Sequence, residues 1–330
     1  MLSGLLIGVL VAAFVFEFIN GFHDTANAIA TTVYTRALPP RVAILLSATM
    51  NLIGALTSDK VAQTVATGLL DVSPELYVIL AALVGAIAWD LFTWWRAIPS
   101  SSSHALIGSL IGATMVYTMS TRDILWQGVL DKVVIPLFTS PLVGMLLGFL
   151  LMRLVFTVFA NWTHHHANAL FHKLQVVSAM FMAYAHGSND AQKTMGIITL
   201  ALVTSGVLAH GSDIPFWVKL FCACTMALGT SIGGRRVMKT VGRGVTKLEP
   251  VSGFVSETSS AIAITFMTAI GAPVSTTQVI TCAIMGTGSA RRVGSVKWGV
   301  VKDIAIAWVL TLPATIILGA ATAALMGLFL

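Results

Sequence analysis

Pro99-Ser100-Ser101-Ser102-Ser103-His104 reads as the start of a helix, and Pro273-Val274-Ser275-Thr276-Thr277-Gln278 reads the same way 174 residues later. In each, a proline that lacks an N–H precedes small hydroxyl residues able to cap, and helix-forming apolar residues follow, as from Ala105 to Ile111. The first turn of such a helix points free backbone N–H groups forward with the positive end of the helix dipole, an arrangement that favours phosphate or sulfate. One hydroxyl-rich helix start is common in soluble proteins that bind nothing there. Two matched copies point to a repeated architecture, and Ser101, Ser102, Ser103, Ser275, Thr276 and Thr277 become the expected oxyanion ligands.

Two further matches keep the same order. Gly21-Phe22-His23-Asp24-Thr25-Ala26-Asn27 pairs with Gly187-Ser188-Asn189-Asp190-Ala191-Gln192-Lys193 at an offset of 166, and Val61 to Gly68 pairs with Val237 to Gly244 at an offset of 176. The loop charges tell how the halves are related. Arg36 and Arg41 follow the first motif, whereas Thr204 to Asp213 after the second has no Lys or Arg. Asp59, Lys60 and Asp71 correspond to Arg235, Arg236 and Lys247; the balanced loop with Arg122, Asp123, Asp131 and Lys132 corresponds to one with Arg291, Arg292, Lys297 and Lys302. Lys and Arg gather on the cytoplasmic side, so equivalent loops are expected on opposite faces. The chain therefore divides into an inverted repeat at 1–157, a linker at 158–173 and a second inverted repeat at 174–330. The same alternation puts the N-terminus outside, and Met1-Leu2-Ser3-Gly4 has no basic region that would mark a cleaved signal peptide.

Composition agrees with a membrane setting. Of 330 residues 56% are hydrophobic and 10% charged, against roughly 25% charged in a soluble domain. Apolar runs recur at Leu2–Phe16, Val42–Leu56, Tyr77–Trp95, Leu142–Phe159, Leu174–Tyr184, Phe216–Leu228 and Val300–Leu330, and about 20 such residues cross a bilayer. An all-α polytopic membrane protein follows, with the lipid bilayer as partner. The net charge of +6 lies in loops that orient the chain, so no nucleic acid is needed to explain it. Cys222, Cys224 and Cys282 read as reduced packing residues, and His164-His165-His166 as an idle solvated run.

Within the apolar runs, ionisable groups mark function. Asn20, Asp24, Asn27 and Thr31 share one helical face, and His186, Asp190 and Lys193 repeat it with Asn189 beside them. Buried polar residues can simply bond one helix to another. A carboxylate at the matched position of each half, however, calls for a cation or proton. Moving an anion into low dielectric costs on the order of 20 kcal/mol per charge in the idealised limit, and cations held at Asp24 and Asp190 would offset much of it. Cation symport is the mechanism these residues suggest.

At these motifs the chain resembles the inorganic phosphate transporter (PiT) family, in its compact bacterial low-affinity form. Gly21 to Ala28 and Gly187 to Gln192 look like the family's duplicated Gly-x-Asn-Asp signature, and Glu257-Thr258-Ser259-Ser260-Ala261 precedes Pro273 as the family's acidic residue does. The resemblance implies symport of inorganic phosphate with a proton or sodium across the plasma (bacterial inner) membrane. It also implies discontinuous helices, two re-entrant helical hairpins, a homodimer and no cofactor. Coupling would involve Asp24, Asn27, Asn189, Asp190, Glu257, His23 and Lys193, with a sodium ion at Asp24, Asn27, Asn189 and Asp190 in the sodium-driven case. Gln192-Lys193 departs from the Ala-Asn of sodium-driven members, and an ammonium at Lys193 would fill or repel a cation site. This favours proton coupling, with His23 or His186 as carriers because imidazole titrates near neutral pH. A sulfate or other oxyanion permease of the same fold, or a passive anion channel, would share these features. No Gly-x-Ser-x-Gly elbow, metal-binding helix or nucleotide loop suggests an enzyme.

Overall fold

Lipid offers no partner to a backbone N–H or C=O, so a chain this apolar satisfies its backbone internally. The computed structural model describes residues 4–232 and 245–329, with the side chains of 25–27 and of His164 outside that description. Among the described residues it is helical nearly throughout, with one strand-like bridge between Leu70 and Ile124. The first half contains α1 (Gly4–Tyr34), α2 (Pro40–Ala55), α3 (Lys60–Thr67), α4 (Leu76–Trp95) and α5 (Ser102–Thr118). A short α6 (Trp126–Val129) then passes through a π-helical turn, Leu130–Val134, into α7 (Ile135–Val158). The second half contains α8 (His164–Thr204), α9 (Phe216–Ile232), α10 (Pro250–Ala269), α11 (Thr276–Arg291) and α12 (Trp298–Gly327).

The helices α1, α4, α12 and the stretch Trp126–Val158 are each long and apolar enough to cross a membrane, and α2 and α3 form an apolar pair bent by 66°. The protein is a multi-pass membrane protein. The helices that carry Asp24 and Asp190, α1 and α8, are continuous; the breaks fall between α4 and α5, between α10 and α11, and at the α2–α3 bend.

Both interhelical breaks are made the same way. At the end of α4 the N–H of Ala97 donates to Trp94 O (3.1 Å) and that of Ile98 to Thr93 O (2.9 Å); at the end of α10, Gly271 donates to Thr268 O (3.0 Å) and Ala272 to Met267 O (2.9 Å). This double bond is the Schellman stop, which requires a left-handed residue. Ala97 (φ 54°) and Gly271 (φ 72°) supply it. The outer ends of each helix pair are tied together too, by Leu125 N–H to Leu69 O (3.0 Å) in one and Lys297 N–H to Val245 O (2.9 Å) in the other. Each pair is thus a hairpin whose turn is exposed at Arg96 and Ile270 and buried from Pro99 onward in one and from Gly271 onward in the other.

The halves interlock reciprocally: α5 packs on α12 and α11 on α7, while α1 packs on α9 and α8 on α2. Backbones meet closely where glycines sit at matched positions. A Cβ on Gly112 would lie 1.9 Å from Ile316 O of α12, and one on Gly286 would lie 2.1 Å from Met145 O of α7.

The structure changes some expectations. The non-helical connection between the halves is shorter than 158–173, because helix resumes at His164 with the Thr163 hydroxyl accepting from the His166 N–H (3.4 Å). The run Leu174–Tyr184 is an interior portion of α8, not a separate span. Val237 to Gly244, Arg235 and Arg236 lie outside the described residues. His165 and His166 are exposed.

Because no side chain fits between these backbones, Gly286→Val should destabilise the protein by at least about 1–3 kcal/mol. A melting midpoint in detergent at or above that of the wild type would contradict this packing.

Candidate functional site

The two helix starts meet. Ser101 caps α5 by accepting from His104 N–H (3.2 Å), and Ser275 caps α11 by accepting from Gln278 N–H (3.4 Å). Capping uses the first hydroxyl of each turn, which leaves the next ones to point across the gap. Ser102 donates to Asp24 Oδ2 (3.1 Å) from one tip and Thr277 donates to Asp24 Oδ1 (3.2 Å) from the other, so a single carboxylate on α1 joins both hairpins. Ser103 donates to Val274 O (3.0 Å), a direct tip-to-tip bond. All six expected oxyanion ligands are at most 3% exposed.

Asp190 is the counterpart on α8. It accepts from Thr276 at Oδ2 (2.8 Å), lies 3.0 Å from His186 Nε2, and pairs with Lys193. The Lys193 ammonium also donates to Ser103 Oγ and to Val274 O (2.9 Å). It therefore contacts a carboxylate, a hydroxyl and a carbonyl at once, the oxygen set a small cation would use. Each acid has a histidine beside it. His23 Nδ1 is 2.8 Å from Asp24 Oδ1 and its Nε2 is 3.3 Å from Thr93 Oγ1, which also accepts from Ser100 (2.8 Å). His186 Nδ1 is 3.1 Å from Asn51 Oδ1.

Other expected residues are placed differently. Asn189 is occupied with the second tip, donating to Thr268 Oγ1 (2.8 Å) and Ala272 O (3.2 Å) while accepting from Val274 N–H (3.2 Å). The side chain of Asn27 lies outside the described residues. Glu257 is not at the tips. It is enclosed by Thr31 (2.5 Å), Thr32 (2.7 Å), the Gln175 amide (3.2 Å) and Ser178, all donating to its carboxylate. Among the described residues no group of three His, Cys, Asp or Glu converges as a metal centre.

Several residues at the site escaped the sequence reading. Thr93, Asn51, Gln175 and Ser178 are single polar residues in apolar helices, and only their partners reveal them. Asp90 had a signal, being an acid inside the run Tyr77–Trp95. It is fully buried beside Ser102, a hydrogen-bonding neighbour, and the charges of His23 and Asp24 act on it.

The sequence pattern of the Phosphate transporter family matches residues 20–319. The chain belongs to that family. A Bacillus subtilis protein named "Probable low-affinity inorganic phosphate transporter" is 46% identical over 315 residues, covering 94% of each chain. A Rhizobium meliloti protein of the same name is 46% identical over 320 residues, 96% of this chain and 95% of its own. A solved structure titled "The sodium-dependent phosphate transporter" matches with a TM-score of 0.90 at 26% identity, covering 99% of this chain and 100% of that one. The chain is a transporter, not an enzyme.

In this phosphate transporter family member, the departure at Gln192-Lys193 has two separate outcomes. Lys193 enters the tip cluster, whereas Gln192 Oε1 accepts from the N–H groups of Val61 (2.8 Å) and Ala62 (3.2 Å), capping α3 from another helix. Gln192→Ala leaves those buried donors without an acceptor and should cost about 1–3 kcal/mol. The melting midpoint should fall while phosphate affinity, read by isothermal titration, stays unchanged; the opposite pattern would move Gln192 into the binding site.

Proposed function

We propose that the chain is a secondary active transporter that takes inorganic phosphate across the plasma membrane together with a cation, gripping it between the first turns of α5 and α11. The observation that carries this reading is the sharing of Asp24 by Ser102 and Thr277. The hydroxyls that hold this carboxylate are the donors a tetrahedral oxyanion would use at two opposed helix starts. If Ser102 and Thr277 turn to phosphate, Asp24 loses donors and gains an anionic neighbour in the same step. Asp24 keeps His23 but loses two hydroxyl donors beside a new anion, a cost that a cation arriving with the phosphate would offset. A passive anion channel has no need of such a linkage.

The matched motifs, the matched hairpin stops at Ala97 and Gly271 and the reciprocal packing support two inverted repeats, 1–157 and 174–330, with the N-terminus outside. A membrane-impermeant thiol reagent reaching a cysteine placed at position 4 from outside intact cells would agree; labelling only after permeabilisation would reverse the orientation. The family likeness also supports a homodimer in the bilayer. The coupling ion is a proton or sodium. Lys193 already fills the oxygen set beside Asp190, which favours the proton, and His23 and His186 have both ring nitrogens within reach of polar partners that orient them.

Labelled phosphate uptake into proteoliposomes, with sodium and pH gradients imposed separately, tests the proposal. Asp24→Asn and Asp190→Asn should each depress uptake. Ser102→Ala and Thr277→Ala each remove a hydrogen bond to a charged group, worth about 1.5–3 kcal/mol, and should weaken phosphate binding by roughly tenfold or more. Wild-type uptake in all four variants would remove the site assignment, and stronger competition by sulfate than by unlabelled phosphate would change the substrate.

A further inference from the structure

Glu17 is a buried acid that the tip cluster does not use. It lies on α1, 0% exposed and seven residues before Asp24, or about 10 Å along the helix axis at 1.5 Å per residue. Glu257 lies about as far on the other side, since its donors Thr31 and Thr32 come seven and eight residues after Asp24. Two buried carboxylates thus bracket the tip cluster along the α1–α8 pair.

Their surroundings differ in hydrogen-bond donors. Glu257 receives hydroxyls from Thr31, Thr32 and Ser178 and the Gln175 amide, which suits an ionised carboxylate. Glu17 receives the Thr194 hydroxyl at Oε2 and has the Asn20 side chain as a further hydrogen-bonding neighbour. Its Oε1 has no hydrogen-bond partner among the described residues, and neither has Asn20 Oδ1, three residues further along the same helix. Side chains three apart on a helix are neighbours, so the Asn20 amide stands beside the Glu17 carboxylate while the Asn20 Oδ1 has no donor of its own. One proton on Glu17 would give that bare amide oxygen a donor within the same turn of helix. A hard metal ion takes on the order of six oxygens, which a carboxylate, a hydroxyl and an amide do not provide. The titratable or charged groups that act on Glu17 are Asp190 and Lys193 from α8 and Cys222 from α9.

We infer that Glu17 is the proton-binding site that couples transport to a pH gradient, which rests on the phosphate symport reading and names its ion. A proton from water on one side adds to the Glu17 carboxylate and makes it neutral. Phosphate can then join Lys193 at the tips without a third anion beside Asp190. On the other side phosphate leaves, and Glu17 returns the same proton to water. Carboxylate and phosphate repel one another through the shared neighbourhood of Lys193, so each disfavours the other until the proton is bound, which is a coupling free energy in the linkage sense.

Wild type, Glu17→Gln and Glu17→Asp are compared in proteoliposomes for net uptake driven by a pH gradient and for labelled-phosphate exchange at equal pH on both sides. Glutamine imitates the protonated acid. Glu17→Gln should lose gradient-driven accumulation by roughly tenfold or more, within the usual range of coupling free energies, while exchange continues at the wild-type rate. Accumulation as in the wild type, or loss of exchange in a variant that still elutes as folded protein, overturns the inference. Exchange in the wild type that is driven by sodium and indifferent to pH overturns it too, and leaves phosphate symport standing. Neither exchange nor uptake in the wild type sinks the symport reading itself. If Glu17→Gln does not reach the membrane, infrared difference spectra on adding phosphate decide between wild type and Glu17→Asp. A protonated-carboxyl band that responds to phosphate and shifts in Glu17→Asp supports the assignment; an identical band in both overturns it.

Discussion

One carboxylate holds this structure together at its centre. Asp24, placed by a continuous helix within the membrane, accepts from hydroxyls on two hairpins that belong to different halves of the chain. A charge in low dielectric has to be satisfied by fixed donors, and here those donors sit at the first turns of two helices. The satisfaction of the acid and the closure of the tips are therefore the same event. Any anion that competes for the hydroxyls disturbs the charge balance of Asp24, which is how binding becomes linked to a cation.

The free carbonyls at a hairpin turn need partners that lipid does not offer. Each turn is fixed from the opposite half. Trp308 Nε1 donates to Pro99 O (3.0 Å) at the first tip, while Lys60 donates to Ala269 O (2.9 Å), Lys132 to Ile270 O (2.8 Å) and Thr64 to Gly271 O (2.8 Å) at the second. The last carbonyls of α10 thus meet two ammonium groups, as the negative end of a helix dipole favours. Gly112 and Gly286 let the backbones of α5 and α12, and of α11 and α7, approach closely.

Buried acids in this chain are distinguished by their donors, not by their burial. Glu257 receives four donors, whereas Glu17 receives the Thr194 hydroxyl, has the Asn20 amide beside it and keeps one carboxylate oxygen bare. Lys193 lies between these extremes as a fixed charge within the cluster, bonded to both tips and to Asp190.

Much of this was written locally in the sequence. The proline–hydroxyl helix starts, the caps at Ser101 and Ser275 and the acids at Asp24 and Asp190 depend on residues within a turn of one another, so periodicity and residue type were enough to read them. Apolar length alone determined that the chain lives in a bilayer, because a backbone in lipid has few options. What only the tertiary structure decided is which side chains face each other. Thr31 reaches Glu257 across 226 residues and Thr277 reaches Asp24 across 253, and Asn189 bonds to Thr268, Ala272 and Val274 at the second tip. Separations of that kind leave no mark on local sequence, since the partner of a buried polar group is set by how helices pack.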